Sequence, residues 1–223
     1  MIEYFFKFDD GRQLQVKVDV ERQFDLTQNH STAPPWTRLD NNQCSICPLK
    51  KNQYSHCPAA LDLDKVIPQF KGIPATTKLN VTVKTPERDY SKHVTLEEGV
   101  RAMMGLVMAT SACPVFSMLR PNARHHLPFA SIDEYVLRAA SLYLMRQYFI
   151  AQEGGQPDWA LTGLMKANEQ FQLVNHAFWQ RSLQAFQNDA NSKALLSFFT
   201  LSSKLSASLP NQLVKMKRVF YQA

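Results

Sequence analysis

Polar and apolar residues alternate near the start of the chain. In QLQVKVDV, residues 13–20, Leu14, Val16, Val18 and Val20 alternate with Gln13, Gln15, Lys17 and Asp19. A period of two buries one face of a strand and wets the other. IEYFFKF, residues 2–8, precedes it, and the intervening DDGR carries Asp-Gly, a strong hairpin signal. KLNVTVKT, residues 78–85, alternates cleanly and predicts a third strand, ended by Pro86. Residues 25–60 show no period, and LDKVIPQF, residues 63–70, fits a short helix or a strand.

From Thr95 the pattern becomes helical. Thr95 and Glu98 have capping-box spacing, and Val100, Met103, Met104, Val107 and Met108 follow at helical intervals. Ser131 and Glu134 repeat the signal for a helix over about 132–153, apolar nearly all round, which places it at the centre of a bundle. Gly154, Gly155 and Pro157 end it. Asp158 is placed to cap the next helix, a further helix is expected from about Asn191, and a short one after Pro210. Strands followed by helices give an α+β fold. The expected organisation is one domain over 1–223, with antiparallel strands and a cysteine-bearing metal loop in 1–94, then a bundle of four to five helices in 95–223.

At 223 residues and 45% apolar content, the chain can bury a core without metal supplying all its stability. The net charge of +6 is mild and scattered, densest at Lys215, Lys217 and Arg218, so nucleic-acid binding is a weak expectation. MIEYFFKFDDGRQ lacks the features of a signal peptide, which points to the cytoplasm and to reduced thiols. The uncharged stretch 102–119 reaches the length of a membrane span, but Pro114 and several polar residues interrupt it. Phosphate loops, G-x-S-x-G and H-E-x-x-H are absent from the sequence.

CSICPLKKNQYSHCP places Cys44, Cys47 and Cys57 within fourteen positions. A C-x2-C pair turns two thiolates into one coordination sphere, and a third soft ligand follows on the same loop. Cys113 is the natural fourth ligand, with His125 or His126 as alternatives. Four cysteines would make a closed, structural zinc site. Cys47, Cys57 and Cys113 each precede a proline, which removes the N–H that many zinc knuckles aim at sulfur. Cys-Pro also occurs in ferredoxin motifs, so an iron–sulfur cluster is the alternative cofactor. The remaining alternative is that no metal binds and the buried thiols pack as small apolar residues.

MATSACPVFSMLRPNARHHLPFAS, residues 108–131, concentrates Cys113, Arg120, Arg124, His125 and His126. A compact proline-shaped turn explains the segment without any function. The two arginines and two histidines nevertheless form a candidate binding surface, and a Cys–His nucleophile pair is conceivable.

The blocks CSICPL, HCPAA, PERDY, GLVMATSACPVF, LRPNARHHLPFAS and YLMRQYF together resemble an uncharacterised bacterial protein family, a domain of unknown function found mainly in proteobacteria. The resemblance spans about residues 40–195. It falls on Cys44, Cys47, Cys57, Cys113, His126, Leu127, Pro128 and Phe129, implies a bacterial cytosolic single-domain protein, and supplies no activity or ligand. The expectation is a zinc-stabilised binding or regulatory protein with a protein partner, not anchored in a membrane, and leaning away from an enzyme. A redox protein or enzyme using the cysteine site is the first alternative, and a nucleic-acid-associated protein the second.

Overall fold

The computed structural model describes residues 1–24, 30–183, 193–194, 209–218 and 220–221. Strands β1 (Ile2–Phe8), β2 (Gln13–Val18), β3 (Lys78–Lys84) and β4 (Asp89–Thr95) form one antiparallel sheet in the order β2-β1-β3-β4. Ile2, Tyr4, Phe6 and Phe8 are buried on one face of β1. Register places Phe6 opposite Leu14 of β2 and Val81 of β3, so same-face side chains meet across three strands. The β1–β2 turn closes as the Asp-Gly signal predicts. Gly11 takes φ +86° and donates to the Phe8 carbonyl at 3.1 Å.

The pattern of alternation missed β4. It is an edge strand whose fully buried residue is Val94, and the run DYSKHVT shows little period. Pro86 does end β3, and it does so inside the turn to β4, where Thr85 N–H donates to the Arg88 carbonyl at 3.0 Å.

Helix α2 (Leu96–Ala109) covers the sheet. The Thr95 hydroxyl accepts from Glu98 N–H, while the Glu98 carboxylate accepts from Lys92 Nζ at 2.7 Å. Gly99 permits the close approach: a Cβ there would stand 2.9 Å from Val81 Cγ2 and 3.0 Å from Phe6 Cε1, both in the packed core. Gly99→Val is therefore expected to destabilise by roughly 2–3 kcal/mol through overpacking, measured by urea unfolding.

The undecided segment is helical: α1 (Pro58–Asp64) is followed by a 3-10 turn, Ile67–Phe70. Arg22 ties α1 to the end of α2, pairing with Asp62 and donating to the Thr110 carbonyl through Nε at 3.0 Å. After α2 come α3 (Arg120–Arg124), α4 (Ile132–Gln152) and α5 (Thr162–Leu183). The Ser131–Glu134 capping box forms at the start of α4.

Helix α4 does not occupy the centre of a bundle. Val136, Ala140 and Gln147 are its buried residues, while Leu137, Leu144, Met145, Tyr148 and Phe149 are exposed. Periodicity overestimated the burial of a helix that packs along one narrow stripe. Val136 joins Leu209, with Tyr135, Leu164, Met165, Leu213 and Met216 around them, in a small core separate from the main one. Asp158 does reach the next helix, accepting from Gly163 N–H at 2.7 Å, but α5 starts four residues after it. The helix expected from about Asn191 lies outside the described residues except at 193–194, and 209–218 is helical as expected after Pro210. Among the described residues, no helix is long and apolar enough to cross a membrane.

Candidate metal centre

The long irregular loop is folded back on itself by backbone hydrogen bonds. Leu39 N–H donates to the Ser55 carbonyl at 2.9 Å and Cys57 N–H to the Thr37 carbonyl at 2.7 Å, around an Arg38–His56 bridge. Between these strands of the pinch, Cys47 N–H donates to the Cys44 carbonyl at 3.0 Å. That is the tight turn a C-x2-C pair needs. Cys57 therefore returns beneath Cys44 and Cys47, and the end of α2 delivers Cys113. All four are free thiols, and all four line one cavity of about 20 Å3, walled by Leu39, Leu49, Val174 and Phe178.

Proline after cysteine has a local reason here. Pro58 occupies the first turn of α1, where its missing N–H is not needed, and Cys57 becomes the N-cap. The Cys57 side chain closes no cap hydrogen bond, yet the N–H groups of Ala59 and Ala60 bear on its sulfur and favour the thiolate. Val115 and Phe116 N–H groups do the same for Cys113. At these two cysteines the donors come from two and three residues beyond, not from the proline position.

The thiols influence one another electrostatically. Burial first, and then Cys57, Cys47 and Cys113, together push Cys44 up to about 12. Burial likewise pushes Cys113 up to about 11, and Cys57 is raised by the same cause. Arg181 opposes this at Cys44 and Cys57. It is 1% exposed, and its guanidinium donates to the carbonyls of Trp36, at 3.0 Å, and Arg38, fastening α5 to the cysteine loop. Among the described residues, no carboxylate lies within ion-pair distance of it.

The donor set suits a soft-liking cation: four sulfurs, a dry wall, N–H groups aimed at sulfur and a buried positive charge. In the positions the side chains take, no three His, Cys, Asp or Glu among the described residues already form a metal-holding group.

The residues of the other candidate surface diverge. Arg124 makes a two-pronged ion pair with Glu21, both bonds 2.7 Å, and Arg120 stacks over Phe24 at 4.7 Å. His125 is exposed, and its carbonyl accepts from Arg138 at 3.2 Å. His126 Nε2 meets the Tyr4 hydroxyl at 2.6 Å and faces a second, larger cavity. Neither histidine lines the cysteine cavity. Burial and the nearby Arg138 lower His126 from its ordinary 6.5 to about 3. The unfolded chain then binds a proton that the native ring rejects, so stability falls as pH drops below 6.5. The slope should approach about 1.4 kcal/mol per pH unit. In denaturant titrations between pH 6.5 and 5, His126→Gln is expected to flatten this dependence.

Sequence reasoning missed Arg181 and Tyr4. A signal was present on α5, where Asn168, Phe171, Asn175, Phe178 and Arg181 share one helical face and interleave polar side chains with aromatic ones. A family model described as a domain of unknown function, DUF6901, matches residues 2–221. No curated protein and no solved structure matches the chain.

Proposed function

We propose, for a chain that belongs to the DUF6901 family of domains of unknown function, that Cys44, Cys47, Cys57 and Cys113 hold one zinc ion as a structural clamp in a binding or regulatory protein. The observation that carries this reading is the convergence of three loop thiols and the sequence-distant Cys113 on one small cavity beside the buried Arg181. Zinc would hold the cysteine loop against the turn after α2. It would supply stability there, since four thiolates leave no open position for substrate. Buried thiols are neutral at pH 7, and a dication makes the thiolates favourable. A cavity of about 20 Å3 is nearer to the size of one ion than to a four-iron cluster.

The clamp is expected to work in the cytoplasm, where thiols stay reduced. A protein partner belongs to the proposal, and the exposed apolar residues of α4 are the observation in its favour. Mercurial titration with a chromophoric zinc indicator tests the site. Release of one zinc per chain, complete once four thiols are modified, is the expected result. Modification of all four thiols without release of metal from protein loaded with zinc would refute the clamp.

A further inference from the structure

The larger cavity, about 190 Å3, lies between α2, α3, α4 and α5 and the loop 126–131. Its walls are mainly apolar, with Leu106, Phe116, Leu127 and Phe171 among them. Three buried side-chain atoms have no hydrogen-bond partner among the described residues: Asn122 Nδ2, Arg138 Nε and Asn175 Oδ1. All three belong to residues that line this cavity. Asn175 is 3% exposed, so its amide has no ready access to bulk water.

Buried polar groups are nearly always satisfied, and an unpaired buried donor or acceptor is costly. Three such atoms, on residues that line one apolar space, indicate what a ligand there would satisfy once their side chains turn to it. The charge of the walls narrows the choice. Arg138 has no carboxylate within ion-pair distance among the described residues, and burial lowers its pKa. Glu98, which also lines the wall, is paired with Lys92.

We propose that this cavity binds a small apolar carboxylate carrying one hydrogen-bond donor. The carboxylate accepts from Arg138 Nε–H and Asn122 Nδ2–H. A hydroxyl or amino group on the same molecule donates to Asn175 Oδ1, and the hydrocarbon body rests on Phe116, Leu106 and Phe171. Arginine suits this role because its N–H groups match the two oxygens of a carboxylate. The space is below the roughly 300–1,000 Å3 usual for drug-sized ligands, which fits a small metabolite. The inference does not rest on the zinc clamp, although Phe116 lines both cavities.

The test is isothermal titration calorimetry on the full, metal-replete chain. The probes are 4-hydroxybenzoate, leucine and 2-hydroxy-4-methylpentanoate, with methyl 4-hydroxybenzoate as the uncharged control. At least one acid is expected to saturate the wild-type protein, and Arg138→Gln to weaken it by on the order of tenfold or more. Gly105→Leu, which places a side chain on the cavity wall from α2, is expected to abolish the binding. If Gly105→Leu does not fold, Arg138→Gln decides, since that residue is half-buried on the helix surface. The proposal is overturned if no acid saturates at millimolar concentration. It is equally overturned if the ester binds as tightly as the acid or if Arg138→Gln keeps full affinity.

Discussion

Replacing Cys113 by Ala is expected to lower the thermal midpoint by about 10 °C and to abolish the response to a strong chelator. Under the proposed zinc clamp, Cys113 would be the ligand that joins the helical part of the chain to the cysteine loop, across 55 intervening residues from Cys57. A metal that binds the native state a thousandfold above its dissociation constant adds about 4 kcal/mol of stability. For a chain of this size each kcal/mol moves the midpoint by about 2–4 °C. Thiols that merely pack as small apolar groups give a different outcome. Cys113→Ala would then leave a sulfur-sized void costing about 1 kcal/mol, and a chelator would act equally on both proteins. Differential scanning fluorimetry with and without chelator separates the two.

Arg181→Met is expected to cost roughly 2–4 kcal/mol, as leaving buried hydrogen-bond acceptors unsatisfied does. The guanidinium fastens Trp36, Arg38 and Leu39 carbonyls to α5, and methionine leaves those acceptors unpaired in the core. Arg181→Lys should recover little, because one ammonium cannot reproduce a planar fork reaching several carbonyls. The substitution should also speed the loss of metal to a chelator, since the cation that favours the Cys44 and Cys57 thiolates is gone. Urea unfolding gives the first effect, and stopped-flow chelator kinetics the second. A variant as stable as wild type would mean that Arg181 is dispensable to the loop.

The sheet was legible where alternation was strong. Residues 13–20 and 78–85 show one buried face directly, and both are strands. Strand β4 was not, because an edge strand needs few apolar residues and its pairing with β3 is made by backbone groups that every sequence carries. Helix α4 misled for the opposite reason: Tyr148, Phe149 and Leu144 supply an apolar pattern, but nothing in a periodicity reports whether another element covers it. That the four cysteines line one cavity follows from the C-x2-C spacing on the loop and from Cys113 lying just past α2, which ends at Ala109, well before Pro114. Arg181 was not legible, because its role depends on α5 crossing the loop 36–39, a contact between residues about 140 positions apart. The arginines and histidines of 120–126 were close in sequence, yet a short helix turns them to different sides.

The most direct test of the zinc clamp is elemental mass spectrometry, with an absorption spectrum, on untagged protein purified without oxygen. One zinc per chain and no visible absorption is the predicted result, with the zinc lost in Cys113→Ala. Iron with labile sulfide and a band near about 400 nm, where thiolate-bound clusters absorb, would contradict it and make the centre a redox or sensing site. Protein free of metal that takes up no zinc on reconstitution would contradict it as well, and would leave the four thiols as packing groups.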